Sequence, residues 1–363
     1  MAFLPLLGQA TGSPQTIPAA IGDGWARASL AESGFDAPRF NALLTTLLAG
    51  GANIHSVIVV RRGRLVAECY QRGKDRSNYS IFARARDFGP NDVHDVRSVG
   101  KSVISLLLGI ARQQGKLGGL TTPAIDYYPE YPELATPARK AITLENLLTM
   151  TSGLQWNQSG GLLDDEHRLA WTRSPYRLVL GRAVVAVPGT QFDYNSGDNA
   201  VLADILTRVT GMPWKDFARK ALFEPMGITD WEWETDLHGR PMSYSGLRLR
   251  PRDMAKLGLL VVNHGQWGGH QLVPADWIDA SLRTHVATGF DGMGYGYQWW
   301  TGNVTWHGRV LGWAAAFGNG SQRIFVVPDL DLCVVVTAGA YGDLQVARRV
   351  NAILKDVVAT IRE

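Results

Sequence analysis

The chain has 363 residues, 45% hydrophobic and 19% charged, with 36 Lys and Arg against 33 Asp and Glu for a formal charge of +3. It is long enough to build a large core divided between two subdomains, and its composition is that of an ordinary soluble globular protein. The charge is too small and too evenly spread to mark a nucleic-acid arm or a polybasic membrane patch, so neither nucleic acid nor membrane is an expected partner.

Two cysteines exclude a disulfide framework. Cys69 in "LVAECY" and Cys333 in "LCVVVTAG" occupy strand-like runs, where free cysteine behaves as a small buried hydrophobe. No apolar run reaches the ~18 residues of a membrane-spanning helix. The start "MAFLPLLGQATG" lacks the basic residues of a signal peptide. A soluble, cytoplasmic protein is the default expectation; a signal peptide removed ahead of residue 1 would leave the same beginning.

In chain order, residues 36–50 read as a helix and 54–70 as two strands joined by a tight turn at Arg62-Gly63. A long, mainly helical middle follows, with helices expected over 98–114, 143–150, 200–211, 214–222, 251–264 and 274–283. Within it, "QWNQSGGLLDDEHRLAWTRSP" (155–175) is polar, Gly-rich and poorly periodic, and reads as a long loop. Four more strand-like runs, "GYGYQWWTG", "GWAAAFGNG", "QRIFVVPDL" and "LCVVVTAG", precede a final amphipathic helix over 345–361.

Strands at both ends with helices between predict a mixed α/β (α+β) sandwich. Its antiparallel sheet is formed from the two chain ends and flanked by helices, with a mainly helical lobe inserted. The corresponding division is 24–95 with 290–363 for the discontinuous sheet domain, and 96–289 for the helical one.

The stretch "RSVGKSVISLLLGIA" (97–111) carries the chemistry. On a helix that begins near Ser98, residues 98 and 101 share one face, one turn apart. Val103, Ile104, Leu106, Leu107, Leu108 and Ile110 then cover nearly every side of that helix, as expected where burial is complete. Desolvation disfavours an ammonium, and an amine that sheds its proton beside a serine hydroxyl acts as its general base. The helix N-terminus adds free N–H groups that favour a developing anion at Ser98. The competing structural reading makes Ser98 an N-cap and lets Lys101 reach along its stem to water. This is the only S-x-x-K in the chain, and it stands directly ahead of the most apolar helix.

There is no G-x-S-x-G elbow and no H-E-x-x-H helix, and the eight histidines show no metal-ligand spacing. "GIARQQGKL" has one residue too many between its glycines for a phosphate loop and no Ser or Thr after Lys116. The sequence therefore predicts neither a metal nor a nucleotide cofactor.

Further segments give the Ser-Lys pair a context: "HDVRSVGKSVISLLLGIARQQGKL", "ITLENLLTMTSGLQW", "VPGTQFDYNSGDNAVLADILTRVTG", "LRPRDMAKLGLLVVNHGQW" and "QRIFVVPDLDLCVVV". Together they resemble the class C β-lactamase-related serine hydrolases of the penicillin-binding-protein and β-lactamase superfamily. Within it, the likeness is greatest to 6-aminohexanoate-dimer hydrolases, then to family VIII carboxylesterases.

The resemblance implies a second motif, a tyrosine with Asn or Ser beside it, matched by Tyr194-Asn195-Ser196. A phenol can both donate and accept a proton between nucleophile and leaving group. The alternative is a structural tyrosine in the turn after "VPGTQF". The family's third motif, Lys-Thr-Gly or His-x-Gly on an edge strand, is missing. Its place is taken by Ala316-Phe317-Gly318, followed by Asn319. A backbone N–H at Asn319 can still complete an oxyanion hole with that of Ser98, since the hole needs peptide donors. What is lost is a cation or hydroxyl to hold a β-lactam carboxylate. With no deacylating Glu loop of the class A kind in evidence, water activation falls to Tyr194 and Lys101.

Of the twelve tryptophans, Trp156, Trp171, Trp299, Trp300 and Trp313 flank the motifs. Trp156, Trp171 and Trp300, with the backbone at Gly318, are the candidate walls for an acyl or alkyl chain, against ordinary core packing for any one of them. Asp164, Asp165 and Glu166 would receive a substrate amine if the resemblance to the nylon-oligomer hydrolases extends that far; otherwise they are a solvated loop face. The function expected is acyl transfer to water on small linear amides or carboxylic esters, with Ser98 as nucleophile and no cofactor. The alternatives are a β-lactamase or D,D-peptidase, and an inactive relative that binds or scaffolds. The sequence is silent on oligomeric state.

Overall fold

The computed structural model describes residues 17–362 apart from 50, 79, 81, 160, 162 and 163, so the opening segment read for a signal peptide lies outside the described residues. Helix α1 (Ala37–Ala49) leads into the hairpin β1 (Ile54–Arg61) and β2 (Arg64–Tyr70). Both turn residues between them have positive φ, 50° at Arg62 and 72° at Gly63, which matches the twist of a two-residue hairpin. Three short strands follow, β3 (Gly73–Asp75), β4 (Arg84–Arg86) and β5 (His94–Asp95), and then α2 (Val99–Gln113).

The middle holds α3 (Pro137–Lys140), α4 (Leu144–Leu148), α5 (Asp165–Trp171), α6 (Pro175–Leu180), α7 (Ser196–Thr210) and α8 (Trp214–Ala218). After β6 (Trp231–Trp233) and β7 (Leu247–Leu249) come α9 (Pro251–Val262), the hairpin β8 (Gln266–Trp267) and β9 (His270–Gln271), and α10 (Ala275–Leu282). The C-terminal part contains β10 (Val286–Ala287), β11 (Gly294–Tyr295), β12 (Trp300–Trp306), β13 (Arg309–Gly318), β14 (Gln322–Val327), β15 (Leu332–Ala338) and α11 (Leu344–Val358).

The main sheet is antiparallel throughout, in the order β10-β11-β12-β13-β14-β15-β1-β2. The chain ends meet where β15 pairs with β1, from Ile54 opposite Ala338 to Arg61 opposite Leu332. Strand β1 is buried along its whole length because both sheet faces are covered, and alternate side chains therefore enter different cores. Ile58 and Val60 join the core of α2 and α9, whereas Val57 and Val59 join that of α1 and α11.

Two features of the middle differ from the sequence reading. It contains a second small sheet, β5-β7-β6, which ties the segment just ahead of α2 to residues 247–249. The polar stretch 155–175 is also not simply a loop. It includes α5, capped by the Asp164 carboxylate, which accepts from the His167 N–H at 3.0 Å. The 3.6-residue pattern of "DEHRLAW" is too short to stand out from its polar flanks.

Helix α2 is buried from Val99 through Ala111 and lies between the sheet and the helical lobe. Trp277 of α10 packs so close to it that a Cβ on Gly109 would fall 2.6 Å from the indole, which explains a glycine in mid-helix. No helix among the described residues is long and apolar enough to cross a membrane.

Candidate active site

Ser98 precedes the first residue of α2 with helical φ and ψ (−65°, −3°), yet its side chain makes no capping hydrogen bond. The hydroxyl instead faces Lys101 Nζ at 2.9 Å. Lys101 does not reach water: the residue is 1% exposed, and Nζ donates a second hydrogen bond to the Tyr244 carbonyl at 2.8 Å. An amine anchored to that carbonyl by one N–H keeps, once neutral, a lone pair for the Ser98 proton. The N-cap and water-reaching readings of this pair therefore do not describe the structure.

The turn that presents Ser98 is held by charge. Arg97 adopts φ 52°, uncommon for a non-glycine residue, immediately before the serine. Its N–H donates to Asp95 Oδ1 at 3.0 Å, and its guanidinium lies 3.0 Å from Asp95 Oδ2 and over the Tyr341 ring at 4.6 Å. Burial raises the Asp95 carboxyl to about 6, against the opposing pull of Arg97.

Tyr194 lies just before α7, whose start is set by Asn195. The Asn195 Oδ1 accepts from the N–H groups of Gly197 at 2.7 Å and Asp198 at 3.2 Å. Starting at Ser196, the helix begins four residues earlier than the apolar pattern suggests, because polar capping residues carry no hydrophobic signal. On the other side, the Asp193 N–H donates to the Met150 carbonyl at 2.9 Å. So held, the Tyr194 ring has Lys101 Nζ 4.9 Å from its centroid. Ser98 and Tyr194 are partly exposed and thus accessible to a substrate.

Gly318 ends β13 against the Ser98 turn: a Cβ there would lie 2.2 Å from the Val96 carbonyl oxygen, so only glycine allows this approach. Asn319 follows, its side-chain oxygen accepting from the N–H groups of Gly320 at 2.8 Å and Gly342 at 2.9 Å. The Asn319 side chain thus braces the turn that follows Gly318. Behind it, Arg323 donates to the Gly318 carbonyl at 3.1 Å and stacks on Phe317 at 4.1 Å.

Trp300 is the centre of an aromatic wall beside the tyrosine. It stacks on Tyr194 (6.0 Å between centroids) and Phe317 (5.5 Å), with Phe192 (5.8 Å) and Phe290 (6.2 Å) edge-on. Trp313 extends the wall behind Phe317, stacking on it at 6.4 Å and packing on Phe325, whereas Trp299 is in the core. Trp156 is buried under the start of α7, where a Cβ on Gly197 would fall 2.9 Å from its ring. Trp171 is exposed beside His167.

The acidic residues of 164–166 are not a solvated face. Asp164 and Asp165 are both buried; Asp165 accepts from the Asn157 N–H at 2.9 Å and pairs with Arg182. Glu166 accepts from the Ser196 hydroxyl at 2.6 Å and from Gln158. Glu166 thus fastens the start of α5 to the start of α7, while Asp165 ties it to Asn157 and Arg182.

Sequence reasoning missed three participants. The Tyr244 carbonyl is a backbone atom some 140 residues from Lys101 (a separation of 143) and has no side-chain signal. Phe192 reads as an ordinary apolar residue, and Phe317 only as the middle of the third-motif triplet, until the fold brings them to Trp300.

The β-lactamase family model matches residues 40–358. The chain belongs to the β-lactamase family, and its fold is the mixed α/β one described above. It is 24% identical over 301 residues to the 6-aminohexanoate-dimer hydrolase of Paenarthrobacter ureafaciens, covering 77% of this chain and 70% of that protein. Among solved structures, a penicillin-binding-protein homologue from Caulobacter crescentus superposes with a TM-score of 0.68 at 16% identity, over 88% of this chain and 97% of that one. A family VIII carboxylesterase gives 0.64 at 15% identity, over 88% and 97%. These two establish the likeness in fold.

Proposed function

We propose that the protein is a serine hydrolase that cleaves small linear amides or carboxylic esters through an acyl-enzyme on Ser98. The observation that carries this reading is the 2.9 Å approach of Lys101 Nζ to a serine hydroxyl freed from capping. Ser98 attacks the carbonyl while Lys101 takes its proton, and Tyr194 relays a proton from Lys101 to the leaving amine or alcohol as the bond breaks, so that both side chains regain their starting protonation. The N–H groups of Ser98 and Asn319 hold the oxyanion. Water, activated by the same two side chains, then releases the acid. The site lies where the sheet unit (24–95 with 290–363) meets the helical unit (96–289).

Trp300, with Phe192 and Phe317, would receive the acyl or alkyl chain. The matched hydrolase of P. ureafaciens acts, by its name, on a 6-aminohexanoate dimer, a linear amide. The triplet Ala316-Phe317-Gly318 offers no cationic or hydroxyl side chain for a β-lactam carboxylate, which argues against efficient β-lactam turnover. Parallel assays with short-chain nitrophenyl esters, linear 6-aminohexanoate amides and nitrocefin test this. Turnover of an ester or linear amide well above nitrocefin supports the reading, and nitrocefin turnover as fast as either overturns it.

A further inference from the structure

Outside the catalytic groups, three side chains from three strands converge on one point. His55 of β1 and His94 of β5 approach with Nδ1 and Nε2 2.7 Å apart. The Asp75 carboxylate of β3 lies 3.9 Å from His94 Nε2, and all three ligand atoms fall within 4.8 Å of one another. Both rings are buried, at 0% and 1% exposure.

The outer nitrogens fix the proton count. His94 Nδ1 faces the Asp95 carbonyl at 3.0 Å, and His55 Nε2 faces the Lys74 carbonyl at 3.1 Å. The other neighbour of His55 Nε2, Asn53 Oδ1 at 3.3 Å, is an acceptor as well, because that oxygen takes the Lys74 N–H at 2.9 Å. Each ring must therefore donate outward. Two neutral imidazoles carry two N–H groups, and both are used, which leaves two lone pairs pointing at each other. Turning either proton inward strands a ring nitrogen against a carbonyl oxygen.

Something positive must sit between the lone pairs. A third proton would make an imidazolium, and the full burial of both rings, at 0% and 1% exposure, disfavours a charge there that no bound ligand shares. We propose that His55 Nδ1, His94 Nε2 and the Asp75 carboxylate form a binding site for one divalent transition-metal ion of the zinc class.

The surroundings fit such an ion. Both imidazoles donate their outer N–H to a backbone carbonyl, the arrangement that orients metal-bound histidines, and Asp75 Oδ1 accepts from the Tyr341 hydroxyl at 2.6 Å. Phe88 stacks on His55 at 4.1 Å and closes one side. Gly73 and Gly339 let the backbone meet the other sides, since their Cβ atoms would fall 2.3 Å and 2.9 Å from the His55 ring. Arg86 and Arg248 oppose a cation at His94, so the site suits an ion held by strong N and O bonds rather than by charge alone. Zn–N bonds of about 2.0–2.1 Å would open the two rings by roughly half an ångström.

The ion would tie β1, β3 and β5 together just ahead of the Ser98 turn, so its effect should appear first in stability. Tag-free protein is stripped with a chelator, shown to be folded, and titrated with Co(II) and then Zn(II), beside Asp75→Asn and His94→Gln. The proposal expects one Co(II) per chain with visible ligand-field bands, displacement by Zn(II), and a Tm that rises with Zn(II). Affinity should fall at least ten-fold in Asp75→Asn, which keeps the Tyr341 acceptor. Folded wild-type protein that takes up no stoichiometric metal overturns the proposal. So does ¹⁵N NMR showing an imidazolium in the pair that Zn(II) does not displace.

Discussion

Lys101 Nζ stands between two oxygens, 2.9 Å from Ser98 Oγ and 2.8 Å from the Tyr244 carbonyl, on a residue only 1% exposed. The carbonyl fixes the amine in place and leaves the serine as its remaining polar neighbour. Lys101→Met should reduce the acylation rate by a factor on the order of 10²–10⁴. The flexible thioether fills the same space, and the abandoned carbonyl costs only about 1–3 kcal/mol. Stopped-flow ester cleavage and thermal melts on one preparation check both halves.

Tyr194→Phe keeps the ring against Trp300 and Lys101 and removes only the hydroxyl. The melting temperature should stay that of wild type while kcat/KM falls by a factor on the order of 10²–10⁴. An unchanged rate would take the phenol out of the mechanism.

Gln298 joins α2 and α7, which position Ser98, Lys101 and Tyr194, to α4. Its Nε2 donates to the Leu147 and Leu148 carbonyls at 3.0 and 2.9 Å, its Oε1 accepts from Asn199 at 3.3 Å, and its own carbonyl accepts from Ser102 Oγ at 2.6 Å. Gln298→Leu removes three buried side-chain hydrogen bonds and leaves the Asn199 amide without this partner, while the Leu148 and Leu147 carbonyls keep the N–H groups of Gln298 and Met150; it should cost about 1–3 kcal/mol. Urea denaturation reads this as a lower midpoint with unchanged slope.

Asp198 is fully buried in the first turn of α7, and neither carboxyl oxygen has a hydrogen bond of good geometry. Burial raises its pKa well above the usual value; the Ser152 hydroxyl lowers it only in part, and Asp193 adds to the rise. Below the unfolded-state pKa of about 3.9, both states hold the proton and there is no penalty. Above it, the unfolded chain releases its proton while the folded one retains it, so stability is lost as pH rises toward the folded-state pKa. Asp198→Asn removes that loss. Its Tm should exceed wild type at pH 7, and the gap should close toward pH 4. A gap that is constant with pH would show that Asp198 is ionised when folded.

Much of this arrangement is written in local patterns. The fully apolar face of 99–111 announces a buried helix, and alternating cores show in the β-branched runs at both chain ends. The Ser98 and Lys101 spacing gives the hydrogen-bonded pair because a helix makes neighbours of residues one turn apart. What stays hidden depends on distant contacts. Asp164 and Asp165 look like loop surface until Arg182 and the cap of α5 take them inside. His55 and His94, 39 residues apart, show no ligand spacing because separate strands bring them together.

The central claim is that Ser98 is the nucleophile, and intact-protein mass after exposure to a fluorophosphonate tests it most directly. Wild type should gain a single adduct, and Ser98→Ala, folded to the same melting temperature, should gain none. Folded wild type that gains no mass, or an equal adduct in the alanine variant, would contradict the claim.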